Sequence, residues 1–595
     1  MISNSVSNKN WIFKKYNEQD VIFYKENYSL DELTSKLLSI RNIKKEDVQT
    51  FLNPSIKNFL PNPEILKDMQ KSAKRTIQAI SQKHKIGIFG DYDVDGASAT
   101  ALLANFFNSI NVPYEIYIPD RKKEGYGPSA ESFKKLIDNG TKLIFTVDCG
   151  TLSFDAIDYA SNNDIDVIVL DHHQSEINLP KAHSIVNPNR LDDKSDLKYL
   201  CAAGVTFMFL ISLNKELRST DWFIKSKITE PNLLEYLDLV ALGTVCDVVP
   251  LVGLNRAIVS QGLKILKSKK NLGLKTLFDI CDIQTKPNVY HIGYQLGPRI
   301  NAGGRVGKSS HGANLLISNN PKDVFKIATE LDHFNKERQI LEKDLMDKIL
   351  KNLENKTHES VMVIFGKNWH EGVIGIVASR IKDKFNKPVI IISIDDNGTG
   401  KASARSIVGF DIGSVIIAAV QEKILIKGGG HKMAGGFTIK TENVEKFKKF
   451  ILKKFERLSN SKINIKPLYL DSIIAPTALN LQFYNKVNSL APFGSGNPEP
   501  KFVLENMKSI NYKIIKDKHI KSVLVGLDGS SVKSIAFNCV ENEIGAYLLK
   551  KDKKLFNIAG KLSLNEWQGQ SNVEFIIDDI SVNKTLKNTV PSSIG

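Results

Sequence analysis

The stretch Ile86-Gly87-Ile88-Phe89-Gly90-Asp91-Tyr92-Asp93-Val94-Asp95-Gly96 decides how the chain is read. Its first four residues form an apolar run suited to a buried strand, and residues 97–107 are apolar and helix-permissive. The three carboxylates therefore fall on a strand–loop–helix junction. Acidic groups this close repel one another wherever they converge, and a divalent cation held by hard oxygen ligands is the simplest relief. An EF-hand loop also places Asp at every second position, but it needs Glu at position twelve. Counted from Asp91 that residue is Leu102, so the EF-hand reading fails.

Two more apolar runs end in the same way. Residues 142–147 (KLIFTV) lead into Asp148-Cys149-Gly150, and residues 166–170 (DVIVL) lead into Asp171-His172-His173. Helix-like stretches at 129–138 and 154–161 lie between the runs, and this alternation predicts a parallel sheet of βαβ units. Ligands of such sheets gather at the carboxyl ends of the strands, where these Asp and His residues fall. Asp247, within Gly243-Thr244-Val245-Cys246-Asp247-Val248-Val249-Pro250, is a fourth candidate. A single Asp at a strand end is commonly a helix cap or turn former. Three such ends together with Asp247 exceed what that role explains. Because strand neighbours point to opposite faces, His172 and His173 are expected to diverge, one to metal and the other to a phosphate or an outer shell. Asp171 would orient a ring nitrogen. Mixed His and carboxylate ligands suit Mn²⁺ or Mg²⁺ better than Zn²⁺, and a two-ion site of this kind is the usual arrangement for phosphoester hydrolysis.

The series DYDVDG, VDCG, DHH and GTVCDVVP resembles the four motifs of the DHH phosphoesterase superfamily. Further on, residues 297–305 (GPRINAGGR), 369–380 (WHEGVIGIVASR), 403–406 (SARS), 429–431 (GGH) and 492–500 (PFGSGNPEP) resemble the second half of the bacterial RecJ family. The resemblance runs from about residue 30 to about residue 580, in order and spacing. It implies two Mn²⁺ or Mg²⁺ ions held by Asp91, Asp93, Asp148, His172 and Asp247, with Asp95 accepting loop hydrogen bonds. It also implies His173 and Arg299 at the scissile phosphate. Arg121, Asn301, Arg305, Ser403, Arg405, Gly429, Gly430 and His431 would bind substrate, the glycines letting backbone N–H groups approach an anion as in a nest. One departure is Phe89, where some relatives carry His; an apolar side chain suits a strand end.

The formal charge of +16 and a pI near 9.2 fit an anionic polymer as partner, although Lys is also the default surface cation of this chain. Arg is used sparingly: of twelve, Arg299, Arg305, Arg380 and Arg405 fall within motif stretches and Arg121 lies between two of them. Where Lys is habitual, Arg marks a need for a planar bidentate fork, as in phosphate recognition. The five cysteines form no CxxC pair, which argues for a reducing compartment and against structural zinc. No apolar run is long enough to span a membrane and residues 1–10 are polar, so a cytoplasmic location is expected.

The breaks predict an α/β protein of several domains: an N-terminal extension (1–80), a parallel-sheet DHH domain (81–320), a connecting helix (321–356), a second, DHHA1-like α/β domain (357–460) and a small β-barrel of OB-fold type (461–585). Val324, Ile327, Leu331, Phe334, Leu341, Leu345, Ile349 and Leu353 keep helical spacing, and a helix of roughly 33 residues reaches about 50 Å. Short strands are expected beyond residue 463. Phe493 and Trp567 are candidates for stacking on bases, with core packing the alternative.

The resemblance implies a metal-dependent exonuclease that degrades single-stranded DNA from the 5′ end to mononucleotides in recombination and repair. It further implies cooperation with single-stranded-DNA-binding protein and a RecQ-type helicase. The alternatives are a catalytically silent DNA-binding replication scaffold, which would lose metal ligands, and a small-substrate nano-RNA or cyclic-dinucleotide phosphodiesterase, which would lack the C-terminal barrel.

Overall fold

The computed structural model describes residues 5–121, 123–353, 359–458, 466–550, 555–567 and 570–582. They fall into two compact units. One draws on residues within Pro61–Asp247 and Gly262–Ile463, the other on residues within Met1–Leu60, Val248–Gln261 and Asn464–Gly595.

The first unit begins with a five-stranded parallel sheet. Its spatial order is Tyr114–Tyr117, Lys85–Gly90, Thr141–Val147, Asp166–Leu170 and Ser184–Val186. Counted along the chain this is second, first, third, fourth, fifth, so the winding reverses between the first and third strands. That reversal opens a crevice at their carboxyl ends. Asp91 follows one of these strands and Asp148 the other. Covered on both faces, the strands read as apolar runs; Leu143, Ile144, Phe145 and Val147 are all buried. Phe89 is buried too, stacked on Tyr117 with ring centroids 5.6 Å apart.

The helix Pro321–Leu353 extends for 33 residues, and the expected continuation to 356 lies outside the described residues. Leu345, Ile349 and Leu353 share a core with Met362, Val377 and Ile391 of the following α/β region. Within this helix, Arg338 donates to Glu342 (2.8 Å) and to Asn335 (3.2 and 3.0 Å), all three side chains being buried. The sheet that follows is mixed, ordered Lys427–His431, Ala434–Lys440, Thr399–Arg405, Val389–Ile394, Met362–Lys367, with only the last pair parallel.

The second unit is built on a closed barrel. Phe502–Ile515 pairs with His519–Val525, then Ser531–Ala536, Gln570–Ser581 and Phe556–Trp567, which returns to the first strand. Closure leaves no open edge to aggregate. Three of these strands run to 12 or 14 residues, longer than the short strands expected, because register shifts let them bend around the barrel. Tyr24, Leu37, Leu38 and Val48 complete the barrel's core. The strand Lys9–Phe13 pairs in parallel with Lys466–Leu470, and the Trp11 indole donates to Asp579 (2.7 Å). Of the residues marked in the sequence only as an N-terminal extension (1–80), those described up to Leu60 thus fold with the barrel, whereas those from Pro61 onward belong to the first unit. Phe493 packs against this core rather than standing free for a base, and the Trp567 side chain lies outside the described residues. The PFGSGNPEP stretch is pinned by buried polar groups: Arg256 donates to the carbonyls of Leu490, Ala491 and Pro492, and the Asn497 amide to those of Leu490 and Pro492.

Candidate active site

The first strand delivers Asp91 at its buried end, and Asp93 caps the helix Val94–Ser109, accepting from the N–H groups of Asp95 (2.9 Å) and Gly96 (3.0 Å). Asp95 has a different anchor. Its carboxylate accepts from Ala202 (2.6 Å) and Ala203 (3.0 Å) at the start of the helix Ala202–Ser219. This close approach depends on Gly243, where a Cβ would lie 2.5 Å from an Asp95 oxygen. Asp148 adopts a left-handed backbone (φ 61°), a strained conformation for a non-glycine residue and one common at functional sites. Asp247 sits at the end of the helix Leu237–Cys246.

The two imidazoles do not diverge. The strand stops at Leu170, so the alternation rule no longer governs residues 172 and 173, and their ring centroids are 4.7 Å apart. His172 Nε2 lies 3.3 Å from Asp148, 3.6 Å from Asp247 and 3.8 Å from Asp95. His173 Nδ1 donates to Asp171 (2.8 Å). Asp171 is held in turn by the Thr151 hydroxyl (2.6 Å), to which the Asn187 amide also donates (2.9 Å). Three overlapping groups, Asp91/Asp93/Asp148, Asp148/His172/His173 and Asp95/His172/Asp247, each place their donor atoms within 4.8 Å of one another.

Electrostatics give this cluster its character. Burial, then the neighbouring Asp93, pushes the Asp91 carboxyl up to about 8. Burial, Asp95 and Asp93 push Asp247 to about 8, and Asp148 is raised well above the carboxylate range by burial and the other acids. Burial also acts on Asp171, but the hydrogen bond and charge of His173 outweigh it and hold that carboxyl below its usual range. His173 is correspondingly pushed up to about 9 by Asp171 against the opposing effect of burial. One buried oxygen each of Asp91 and Asp148 has no hydrogen-bond partner. Convergent acids with orphaned buried oxygens, beside imidazoles, are the donor set of a hard divalent cation.

Cationic groups border the acids. Arg121 lies over the Tyr92 ring (5.2 Å). Arg305, pulled down to about 10 by burial and then by Arg121, Arg338 and Arg405, donates to the Gly372 carbonyl (3.2 Å). Arg405 donates to Ser403 (3.1 Å), and both approach Gly375, where a Cβ would meet Ser403 Oγ at 2.9 Å and Arg405 at 3.0 Å. Sheet register aligns Arg405 with Ala434 and His431, and Ser403 with Gly436 and Gly429. The residues 429–431 form an edge strand, not a loop, so Gly429 and Gly430 offer extended backbone rather than the expected nest. Arg299, expected at the scissile phosphate, is engaged by Asp332 (2.9 Å) and the Gln295 carbonyl (2.8 Å). Asn301 is half-buried on the same helix, Gly297–Val306, between Arg299 and Arg305.

Sequence reasoning missed Tyr126. Its hydroxyl donates to the Asp148 carbonyl (3.0 Å) and lies 3.3 Å from the His173 ring nitrogens, while its ring is half exposed. Burial of its hydroxyl, and then the surrounding acids, raise its pKa. The flanking Gly125 and Gly127, both at positive φ, were the available signal of a shaped loop.

A doubly wound sheet with acids and His at its switch point, followed by a mixed-sheet domain and a closed barrel, defines a protein of the DHH type. The profile for the DHH family, N-terminal domain, matches residues 85–244, that for the DHHA1 domain residues 339–457, and that for the RecJ OB domain residues 470–579. The chain is 31% identical to the single-stranded-DNA-specific exonuclease RecJ of Bacillus subtilis, over 97% of this chain and 71% of that protein. It is 31% identical to the exonuclease of the same name from Escherichia coli, over 93% and 96%. The crystal structure of RecJ in complex with Mn²⁺ from Thermus thermophilus superposes with a TM-score of 0.80 at 26% identity, covering 97% of this chain and 80% of that one. The chain belongs to the RecJ family.

Proposed function

We propose that this chain is a metal-dependent exonuclease that hydrolyses single-stranded DNA from the 5′ end to mononucleotides, in DNA recombination and repair. The observation that carries this reading is the convergence of Asp91, Asp93, Asp95, Asp148, His172, His173 and Asp247 into overlapping groups whose donor atoms lie within 4.8 Å. Asp91, Asp93, Asp148, His172 and Asp247 would hold two Mn²⁺ or Mg²⁺ ions, with Asp148 shared. Bound there, the ions supply a water ionisable near neutral pH and positive charge for the phosphate oxygens and the leaving alkoxide.

The chain's own residues do the rest. Asp93 spends one oxygen on its helix cap, which fixes the orientation of the other. Asp95, bound to two backbone N–H groups, holds the Ala202–Ser219 helix start against the site. Asp171 fixes the His173 tautomer and makes that ring more basic, suited to a phosphate oxygen. Arg121, Arg305, Arg405 and Ser403 supply charge-assisted donors for the neighbouring phosphates, and a terminal phosphate gripped there sets polarity. Every proposed ligand position carries Asp or His, which favours catalysis over a silent scaffold. Single-stranded-DNA-binding protein and a RecQ-type helicase as partners, and a cytoplasmic location, rest on family resemblance.

The test is one single-stranded oligodeoxynucleotide labelled in turn at each end, incubated with Mn²⁺ or with EDTA. Early release of 5′-labelled mononucleotide, with metal only, is the expected result. Binding without cleavage would replace the exonuclease by a scaffold, and cleavage confined to di- and trinucleotides by a small-substrate phosphodiesterase.

A further inference from the structure

Tyr290 and Tyr294 have no role in the chemistry above, yet they are 58% and 73% exposed with their rings stacked, centroids 5.2 Å apart and planes 24° from parallel. Large aromatic faces in water mark contact surfaces more often than stability elements. Tyr294 lies in the π-helical turn His291–Leu296 and Tyr290 immediately precedes it; the turn's other side is buried through His291, Ile292 and Leu296. Such turns are rare and recur at functional sites.

This turn packs onto Val245 and Cys246, the two residues that precede the candidate ligand Asp247. The Cys246 thiol donates to the Ile292 carbonyl (3.7 Å), and a Cβ added at Gly297 would approach Cys246 Sγ to 2.5 Å. A Cβ at Gly293 would lie 3.5 Å from Val245. The chain then passes without a break into Gly297–Val306, which carries Arg305 to the arginine surface. The exposed rings therefore stand on the element that links Asp247 to the phosphate-binding cations.

We infer that Tyr290 and Tyr294 form a stacking platform for an unpaired nucleobase of single-stranded DNA beside the cleavage site, an inference that rests on the exonuclease reading above. Phosphate contacts alone do not distinguish a single strand from a duplex, since both present the same anion. A base offers its face to a protein ring only when it is unpaired and unstacked. Stacking is also indifferent to base identity, as degradation of arbitrary sequence requires. The rings carry this role and the hydroxyls do not, so Phe should replace Tyr.

The test compares the wild-type chain, Tyr290→Ala/Tyr294→Ala and Tyr290→Phe/Tyr294→Phe on a 5′-phosphorylated oligothymidylate and on the same strand with one abasic position moved along it. The Ala pair should raise KM and Kd roughly ten-fold or more with kcat within about two-fold, and the Phe pair should restore both. In the wild type one abasic position should reproduce this loss, and in the Ala pair that position should cease to matter. Unchanged KM in a well-folded Ala pair would overturn the platform while leaving the exonuclease intact. So would a KM rise that Phe does not rescue and that abasic sites still add to. A wild-type chain that neither binds nor cuts the strand would instead remove the exonuclease reading itself.

Discussion

Asp148 and His172 each take part in two of the three candidate ligand groups, and Asp148 is the carboxylate of the two. Asp148→Ala should lower kcat on single-stranded DNA by on the order of a thousand-fold, since several kcal/mol of transition-state stabilisation passes through the site. It should also abolish the rise in thermal stability that Mn²⁺ gives the wild type, because ligand binding to the native state alone stabilises it; a full Mn²⁺-dependent shift in the variant would remove Asp148 from the metal site. A second acid, away from the site, makes a pH prediction. Burial pushes Asp238 up to about 7, its hydrogen bond from the Leu239 N–H opposing only in part. A raised carboxyl favours the protonated native state, so its support is present at low pH and is lost as pH rises from about 4 through 7. Asp238→Asn should therefore match the wild type near pH 4 and be more stable by a few kcal/mol near pH 8, as urea unfolding at the two pH values would show.

At the scale of elements, the helix Pro321–Leu353 carries a buried ion pair, Arg338 with Glu342. Glu342→Ala leaves Arg338 buried without its counter-ion and should cost about 3–5 kcal/mol, read as a fall in the denaturation midpoint. This helix was legible from its apolar spacing, and the parallel sheet from its alternation with helices. Asp91, Asp148 and Asp247 were legible because acids at the ends of apolar runs have few structural uses in combination. Other features were not. His172 and His173 share one side because the strand ends two residues before them, and no pattern in the sequence marks that end. Gly429 and Gly430 pair as an edge strand although glycine weakens strands, since close packing against Ala434 and Gly435 excludes a Cβ at Gly430. Arg299 meets Asp332, thirty-three positions away, through a helix contact that spacing does not reveal. Tyr126 lies on a loop, where side-chain direction depends on turns that periodicity does not encode.

For the whole molecule, a formal charge of +16 is spread over a chain in which a few arginines are gathered beside the acids. Affinity for single-stranded DNA should fall steeply with salt, with a slope near −0.7 per phosphate contacted. Arg405→Ala should make that slope shallower by roughly 0.7 and raise KM for 5′-phosphorylated strands more than for 5′-hydroxyl strands; equal effects on both strands would deny it a terminal phosphate. The first sixty residues share a core with the barrel through Tyr24, Leu37, Leu38 and Val48, so removal of either segment should unfold the other. Limited proteolysis of such truncations would register this as new cleavage within the partner segment.

The central claim is that the acids and imidazoles at the sheet's switch point hold two ions that share Asp148. Anomalous diffraction at the manganese edge, from crystals of the wild-type chain grown with Mn²⁺, addresses it directly. Two peaks about 3.5–4 Å apart, both within bonding distance of Asp148 and one of them on His172, are predicted. A single peak, or peaks that leave Asp91, Asp148 and Asp247 without a bond to metal, would contradict the account.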